Sequence, residues 1–545
     1  MNFQYIDKLP YKKITEEDSI NIESVEQGTN FYQDFIVYKD EEIINIYSRI
    51  CDHNGGRLCK QNEKIVCPYH GWEFNPEKGG YENIQVVKKK EDFTVTAGKI
   101  ILSKERYIPK LPNTNIKKNI SLDYMSHACL ILKSDDFSFA TDPWLDGFAF
   151  ASGWWLSHNP PKDWVEKLNE VDFIYISHNH PDHLNEFTLS KIRKDMEFII
   201  PDFENRSVEK ILLKLGFNNL TICSFDSYYQ FKHSDLFISI LKSGDFRDDS
   251  GLYFTYGDFS FFSSVDSNDL NFGRFPEDVT IYASSFAGGA SGYPLCLDNI
   301  NEFKKGEILV RNANALKATV LNNINKLNPN YFLPYAGFFH ESAHRDKYIL
   351  KNNTKNSLDD YENLLKRKNT QCLNILKNDS YIFFGREIVS TRMLERESTS
   401  INPETFMNKV FSGMNIDSDY IHNFFIKSNF RDNLIVFFEL TNDSFDDTLK
   451  FFIVDFSSTI PVVTFEEFNW EIIKSEYNSP NIRKLRIKVR KNSFDWVLRN
   501  NSPFEDLSIG FQCKIDRVPD IYNVNFWNHF TNNYIGFKKM KDIGR

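Results

Sequence analysis

Several things are missing from these 545 residues, and each absence removes a class of function. There is no basic excess: 65 Lys and Arg stand against 75 Asp and Glu, a net charge of −10. Such a surface matches a nucleic-acid backbone poorly, because that binding rests on clustered Lys and Arg. It is still compatible with an anionic small molecule held in a locally basic pocket. No stretch of about 18 apolar residues is available to span a bilayer. The start, Met1-Asn-Phe-Gln-Tyr-Ile-Asp-Lys8, lacks the basic segment and apolar run of a secretory signal. Eight Cys are too scattered for a disulfide frame and suit a reducing compartment. No Gly-x-Gly-x-x-Gly follows an expected strand, so the chain is not expected to hold its own nicotinamide or flavin in a Rossmann unit. The expectation is a cytoplasmic protein with no membrane and no nucleic-acid partner.

What is present is ample apolar material, 41% hydrophobic and 15% aromatic, on a length that predicts two to four domains. Residues 1–106 carry short alternating segments such as Asp34-Phe-Ile-Val-Tyr-Lys39 and Ile43-Ile-Asn-Ile-Tyr47, the texture of a small all-β domain. A segment with two Pro, residues 107–119, reads as a linker. From 120 to 385, apolar strands (Ala128–Lys133, Phe173–Ser177, Glu197–Pro201) alternate with amphipathic helical stretches at Leu189–Lys194 and Val208–Leu215. Residues 386–545 read as a smaller C-terminal α/β domain.

Two clusters of metal-binding side chains interrupt this pattern. The first is Cys51-x-His53, thirteen residues, then Cys67-x-x-His70. A structural zinc site could use the same four residues. The loop character of each pair, the continuation into Gly55-Gly56 and the Cys67-Pro-Tyr-His-Gly-Trp72 run favour a Rieske [2Fe-2S] cluster, in which one iron keeps two thiolates and the other two imidazoles.

The second cluster is His178-x-His180-x-Asp182-His183, directly after the expected strand Phe173–Ser177. With Ser126-His127-Ala128 and Thr141-Asp-Pro-Trp144 upstream, it resembles the metallo-β-lactamase superfamily. That resemblance implies an αββα sandwich with metal between the sheet edges, a bridging Asp, a third ligand to the first metal and a late His. Asp266, closing the apolar strand Phe262-Ser-Ser-Val265, fits the bridging position. Either His340 or His344 could be the late ligand. Where a His is expected, Ser243–Asp249 has none, and Asp245 stands in its place. Two imidazoles and one carboxylate with open positions form the facial set of non-haem ferrous oxygenases, whereas hydrolytic zinc more often keeps neutral imidazoles and an activated water.

A hydrolase has no use for electrons, but an iron site that activates dioxygen needs two per turnover. The pairing therefore favours an oxygenase over its alternative, a phosphodiesterase- or lactonase-like metal hydrolase with an accessory Rieske cluster. Further segments carry a closer resemblance: Gly153-Trp-Trp-Leu-Ser-His-Asn-Pro-Pro-Lys-Asp-Trp164, Phe286-Ala-Gly-Gly-Ala-Ser-Gly-Tyr-Pro294, Tyr335-Ala-Gly-Phe-Phe339 and Asp520-Ile-Tyr-Asn-Val-Asn-Phe-Trp-Asn-His-Phe530. They are similar to the CMP-N-acetylneuraminic acid hydroxylase family. The resemblance implies hydroxylation of an N-acetyl group on an anionic sugar nucleotide, with dioxygen as co-substrate and non-haem Fe(II), mono- or dinuclear, at the second site. It also implies a ferredoxin or cytochrome b5-type donor with its NAD(P)H-dependent reductase, and an oligomer is compatible with it. For the substrate, His127, Trp154, Trp155, Gly288, Gly289, Ser291, Arg345 and Lys347 are the candidate contacts.

Overall fold

The computed structural model describes residues 2–534 apart from 53, 54, 83–85, 246, 367, 479 and 480. Among these residues two eight-stranded sheets pack face to face at the centre. One runs in spatial order Leu220–Cys223, Glu197–Pro201, Phe173–Tyr175, Ser138–Thr141, Cys129–Lys133, Asn119–Ser126, Ser380–Phe384, Glu387–Arg392. The other runs Phe3–Lys8, Ser227–Phe231, Leu236–Lys242, Ser250–Tyr256, Phe259–Val265, Ile281–Ser285, Tyr331–Tyr335, Gln371–Cys372. Aromatic rings fill the space between them: Phe139 stacks on Phe173 with centroids 4.9 Å apart and meets Phe254 edge-on at 5.4 Å. Strands such as Phe173–Tyr175 are buried on both faces, which is why they read as unbroken apolar runs.

Helices cover the outer faces. Trp164–Glu170 and Ser207–Lys214 lay Trp164, Leu168, Val208 and Leu212 on one sheet. The 26-residue helix Glu302–Leu327 lays Leu316, Val320, Ile324 and Leu327 on the other. The result is an αββα sandwich. Short ladders N-terminal to it form the small all-β unit: Tyr11–Asn21 with Lys99–Pro109, Gly28–Phe31 with Phe35–Asp40 and Ile43–Ser48, and the four short strands between Cys59 and Tyr81. C-terminal to it, a five-stranded sheet (Val462–Thr464, Thr448–Asp455, Leu434–Thr441, Arg483–Arg490, Cys513–Val518) carries helices Ser418–Ile426 and Lys491–Asn500. This unit sits directly on the sandwich: Ile515 donates to the Cys296 carbonyl at 2.7 Å, and Gly153 packs on Gly510 so closely that a Cβ there would lie 2.1 Å from its carbonyl oxygen.

The chain departs from the sequence expectations in four places. Phe3–Lys8 is not part of the small β unit; it pairs with Ser227–Phe231, because Phe3 fills a slot between Phe173 (4.8 Å) and Phe231 (5.1 Å). Residues 107–109 are not linker but the end of an eleven-residue ladder with Tyr11–Asn21. The second sheet-forming hairpin runs past 385, to Arg392. The expected helix at Leu189–Lys194 reduces to Glu186–Leu189, because Arg193 turns inward to donate to the carbonyls of Asn169 and Val171.

Candidate functional site

The loop after Phe173–Tyr175 is shaped by its neighbours. Asp142, with φ +37 at the end of the parallel strand Ser138–Thr141, accepts from Ser177 N at 2.7 Å, from Ser177 Oγ at 2.8 Å and from His183 Nδ1 at 3.1 Å. On the far side Asn185 accepts from Thr188 N, capping the short helix, and donates to the carbonyls of Phe148 and Pro181. With Nδ1 tied to Asp142, His183 aims Nε2 at Asp182 Oδ2 (3.4 Å) and Asp266 Oδ2 (3.3 Å). His178 Nε2 lies 2.9 Å from His180 Nδ1, and His127 Nε2 lies 3.1 Å from Asp182 Oδ2.

Donor atoms thus converge in two overlapping groups, His127–Asp182–His183 and His178–His183–Asp266, each with all its ligand atoms within 4.8 Å of one another. Asp182 Oδ1, His183 Nε2 and both Asp249 oxygens are buried and make no hydrogen bond within the protein. Buried polar atoms are rarely left so, and this donor set fits a divalent transition metal, or two. The electrostatics agree. Burial, with His183 and His180 alongside, holds His178 far below its ordinary pKa, leaving a neutral imidazole. Burial would also lower His183, but the carboxylates of Asp182, Asp266 and Asp142 outweigh it and push His183 well up.

Asp245 does not join the group. Its carboxylate is held by Arg247, Nε at 3.1 Å and a terminal nitrogen at 3.0 Å. The acid facing His178 is Asp249, with Oδ1 3.5 Å from Nδ1; burial together with Asp266 and Asp245 pushes its carboxyl up to about 7, against the pull of Arg247. Neither late His joins either. His340 lies on a two-residue strand paired with Trp155–Leu156, and His344 is 75% exposed with Glu404 as its neighbour. His127, expected only against substrate, occupies the third position beside Asp182 and His183. From far along the chain Glu505 adds a carboxylate 3.8 Å from His180 Nε2. Asp249 shares the acidic stretch Ser243–Asp249 with Asp245, and spacing alone does not tell the two apart; Glu505 sits in no motif.

The first cluster is formed by two tight loops. Cys51 N donates to Gly56 O (2.8 Å) and Gly55 N to Cys51 O (3.1 Å); Cys67 N donates to Trp72 O (2.8 Å) and Gly71 N to Cys67 O (2.9 Å). Contact with the Cys51 sulfur, then burial, raises the Cys67 thiol, which places the two sulfurs side by side. A Cβ on Gly56 would lie 2.8 Å from Cys67 Sγ, so the bare backbone leaves room at the sulfur. The two thiols and His70 fit a [2Fe-2S] centre with mixed ligands; His53 lies outside the described residues.

The two clusters meet at one cavity of about 340 Å³, bounded by Tyr69, His70 and Gly71 on one side and His180, Asp182 and Asp266 on the other. Gly55 rests on the turn after Asp266, where a Cβ would come within 2.9 Å of Asp269 Cβ. Arg311 binds the Pro68 carbonyl at 3.1 Å, and Tyr69 and Thr319 hydroxyls bond at 2.8 Å. Of the substrate candidates, Gly288, Gly289, Ser291 and Trp154 line the cavity, Trp154 stacked on Phe339. Trp155 instead packs with Phe148 and Met407. Arg345 is taken up by Asp443, Ser152 and Gln512, and Lys347 is exposed away from the cavity. Among the described residues no helix is long and apolar enough to cross a membrane.

Residues 11–97 match the Rieske [2Fe-2S] domain and residues 121–273 the beta-lactamase superfamily domain. Cytidine monophosphate-N-acetylneuraminic acid hydroxylase of Macaca mulatta is 28% identical over 94% of this chain and 92% of its own length. The Mus musculus protein of the same name is 28% identical over 93% of this chain and 94% of its own. The solved structure of CmlA, a diiron beta-hydroxylase from Streptomyces venezuelae, aligns with a TM-score of 0.34 and 16% identity over 51% of this chain and 55% of that one. The chain thus carries an N-terminal Rieske domain followed by a beta-lactamase superfamily domain, and is similar along nearly its whole length to the cytidine monophosphate-N-acetylneuraminic acid hydroxylases.

Proposed function

We propose that this protein is a Rieske iron–sulfur monooxygenase that hydroxylates the N-acetyl group of CMP-N-acetylneuraminate, or of a related N-acyl sugar nucleotide, in the cytoplasm. The observation that carries the reading is the shared cavity, with His70 on one wall and His180, Asp182 and Asp266 on the other. A hydrolase would need no such arrangement. The similarity to named hydroxylases over more than nine-tenths of each chain supports the choice of substrate.

Cys51, His53, Cys67 and His70 would hold the cluster; His178, His180, Asp182, His183 and Asp266, with His127, would hold non-haem iron. The cluster supplies electrons singly and the second centre supplies the activation of dioxygen. The chain's own residues do the rest. Asp142 fixes the His183 tautomer by accepting from Nδ1. Trp154 and Phe339 form an apolar wall that keeps water from the reacting group. The Gly288–Ser291 turn, with φ +72 at Gly288 and Gly289, faces the cavity with backbone where an anionic sugar nucleotide could be received. A ferredoxin or a cytochrome b5-type protein, with its NAD(P)H-dependent reductase, would deliver the electrons.

Protein purified without air after iron-replete expression tests this. Two irons with two sulfides per chain, plus further iron lost in His178→Ala, and transfer of one ¹⁸O atom from labelled dioxygen into CMP-N-acetylneuraminate are expected. Zinc alone at the second centre, with hydrolysis of phosphodiester or lactone substrates, would overturn the reading in favour of the hydrolase.

A further inference from the structure

The beta-lactamase superfamily match ends at residue 273, yet the loop carrying the three His is gripped by residues beyond 500. Two contacts do this. Asn179, between His178 and His180, donates through Nδ2 to Thr531 O at 3.0 Å and reaches Asn532 Oδ1 at 3.3 Å. On the next residue the two ring nitrogens of His180 face opposite ways: Nδ1 lies 2.9 Å from His178 Nε2, inside the ligand group, and Nε2 lies 3.8 Å from Glu505 Oε2. Glu505 is itself held in place, its backbone N donating to Thr531 Oγ1 at 3.2 Å and its Oε1 accepting from Tyr522 at 3.4 Å. Thr531 therefore serves both grips, one through its carbonyl and one through its hydroxyl.

We infer that Glu505 is a positioning residue of the second centre: its carboxylate, 3.8 Å from His180 Nε2, is the charge partner on that side of the ring and so leaves Nδ1 as the nitrogen that binds metal. A ligating His needs its other nitrogen engaged to fix tautomer and ring angle, and losing such a partner commonly costs about 10–100-fold in metal affinity. The C-terminal unit is on this view part of the metal site, not an appendage to it. The same unit lines the cavity with Ser508, Arg517, Tyr522 and Trp527, so whatever enters the cavity touches the segment that holds the centre. The inference rests on the reading of the His178–Asp266 group as a metal site, and not on the reaction catalysed there.

Co²⁺ is the probe, titrated into full-length protein that keeps its cluster but has been stripped at the second centre, with the visible ligand-field bands as readout. In Glu505→Gln, nearly isosteric, and in Glu505→Ala, affinity should fall at least tenfold and the bands should shift. Cluster iron, sulfide and melting temperature should stay at wild-type values, a pattern that a general folding defect does not give. Asn179→Ala, which loosens the loop without touching Glu505, should weaken binding while keeping the wild-type bands. If both Glu505 variants bind Co²⁺ as wild type does, with unchanged bands, the inference is wrong and the metal site stands. Should wild type itself bind no Co²⁺ that His178→Ala abolishes, the metal reading fails and takes this inference with it.

Discussion

Gly56→Ala is a single methyl group with a worked consequence for the cluster. The added Cβ would sit 2.4 Å from Tyr69 Cδ2, 2.9 Å from Tyr69 Cε2 and 2.8 Å from Cys67 Sγ. Comfortable separations for such atoms are about 3.5–4.0 Å, so ring and sulfur must each retreat by roughly 1 Å. Neither is free to do so: Cys67 is fully buried, and the Tyr69 hydroxyl is tied to Thr319 at 2.8 Å. Overpacking of this kind costs about 1–3 kcal/mol. More important, metal–ligand distances tolerate only about 0.2 Å, far less than the displacement required. Gly56→Ala should therefore retain less than half of the cluster iron and sulfide while keeping the metal of the second centre, whose ligands lie on other elements. Iron and sulfide analysis with visible circular dichroism reads this directly. A variant carrying a full cluster with an unaltered spectrum and reduction potential would show that the loops yield, and would refute the argument from close packing.

Burial, with Asp245 nearby, pushes the Asp269 carboxyl up to about 7. Its folded value lies above its unfolded one, so the folded state keeps a proton that the unfolded state loses, and stability falls as pH rises from about 4 to about 7. Asp269→Asn should thus raise the melting temperature at pH 8, removing a cost on the order of 4 kcal/mol at most, and leave it unchanged at pH 4. Equal effects at both pH values would contradict this. Gly153→Ala would set a Cβ 2.1 Å from the Gly510 carbonyl oxygen and 2.5 Å from its Cα; calorimetry should show the C-terminal unit melting separately and earlier. Asp249→Ala should weaken Co²⁺ binding at the second centre by more than Asp245→Ala does, since Asp249 faces His178 and Asp245 is spent on Arg247.

The parts of the site written in consecutive residues were legible in the sequence. His178, His180, Asp182 and His183 share one loop, and the need for a strand before it and a cap after it is local chemistry. Cys67-Pro-Tyr-His70 is similarly self-contained. What was not legible depends on how distant segments stack. Asp245 and Asp249 differ by one loop turn, and only the pairing of Ser250–Tyr256 with Leu236–Lys242 decides which acid faces His178. His340 carries the right chemistry, yet its strand pairs with Trp155 and turns it away from the group. Glu505 is an ordinary acid in an ordinary stretch until the C-terminal sheet sets it beside His180. Phe3–Lys8 alternates like any edge strand; the slot between Phe173 and Phe231 claims it.

That first strand has a consequence for how the redox unit is built in. The chain begins in one sheet of the sandwich, at Phe3–Lys8, and returns to the other at Asn119–Ser126. Between them it leaves at Tyr11 and comes back at Pro109, two residues that sit opposite each other in one ladder, while Lys110 N bonds to the Pro10 carbonyl at 2.9 Å. The small β unit is therefore an insert, entering and leaving through a single doorway in a frame closed on either side of it. Those two strands pair with each other, and the unit is seated on the sandwich by side-chain contact: Arg311 on the Pro68 carbonyl, Tyr69 on Thr319, and Gly55 against Asp269. The spacing of the two centres is therefore set by how the insert seats on the sandwich. The doorway is also narrow enough for a short turn from Tyr11 to Pro109 to close it, which would remove the first centre and bare the part of the shared core that Tyr69 and Trp72 now complete.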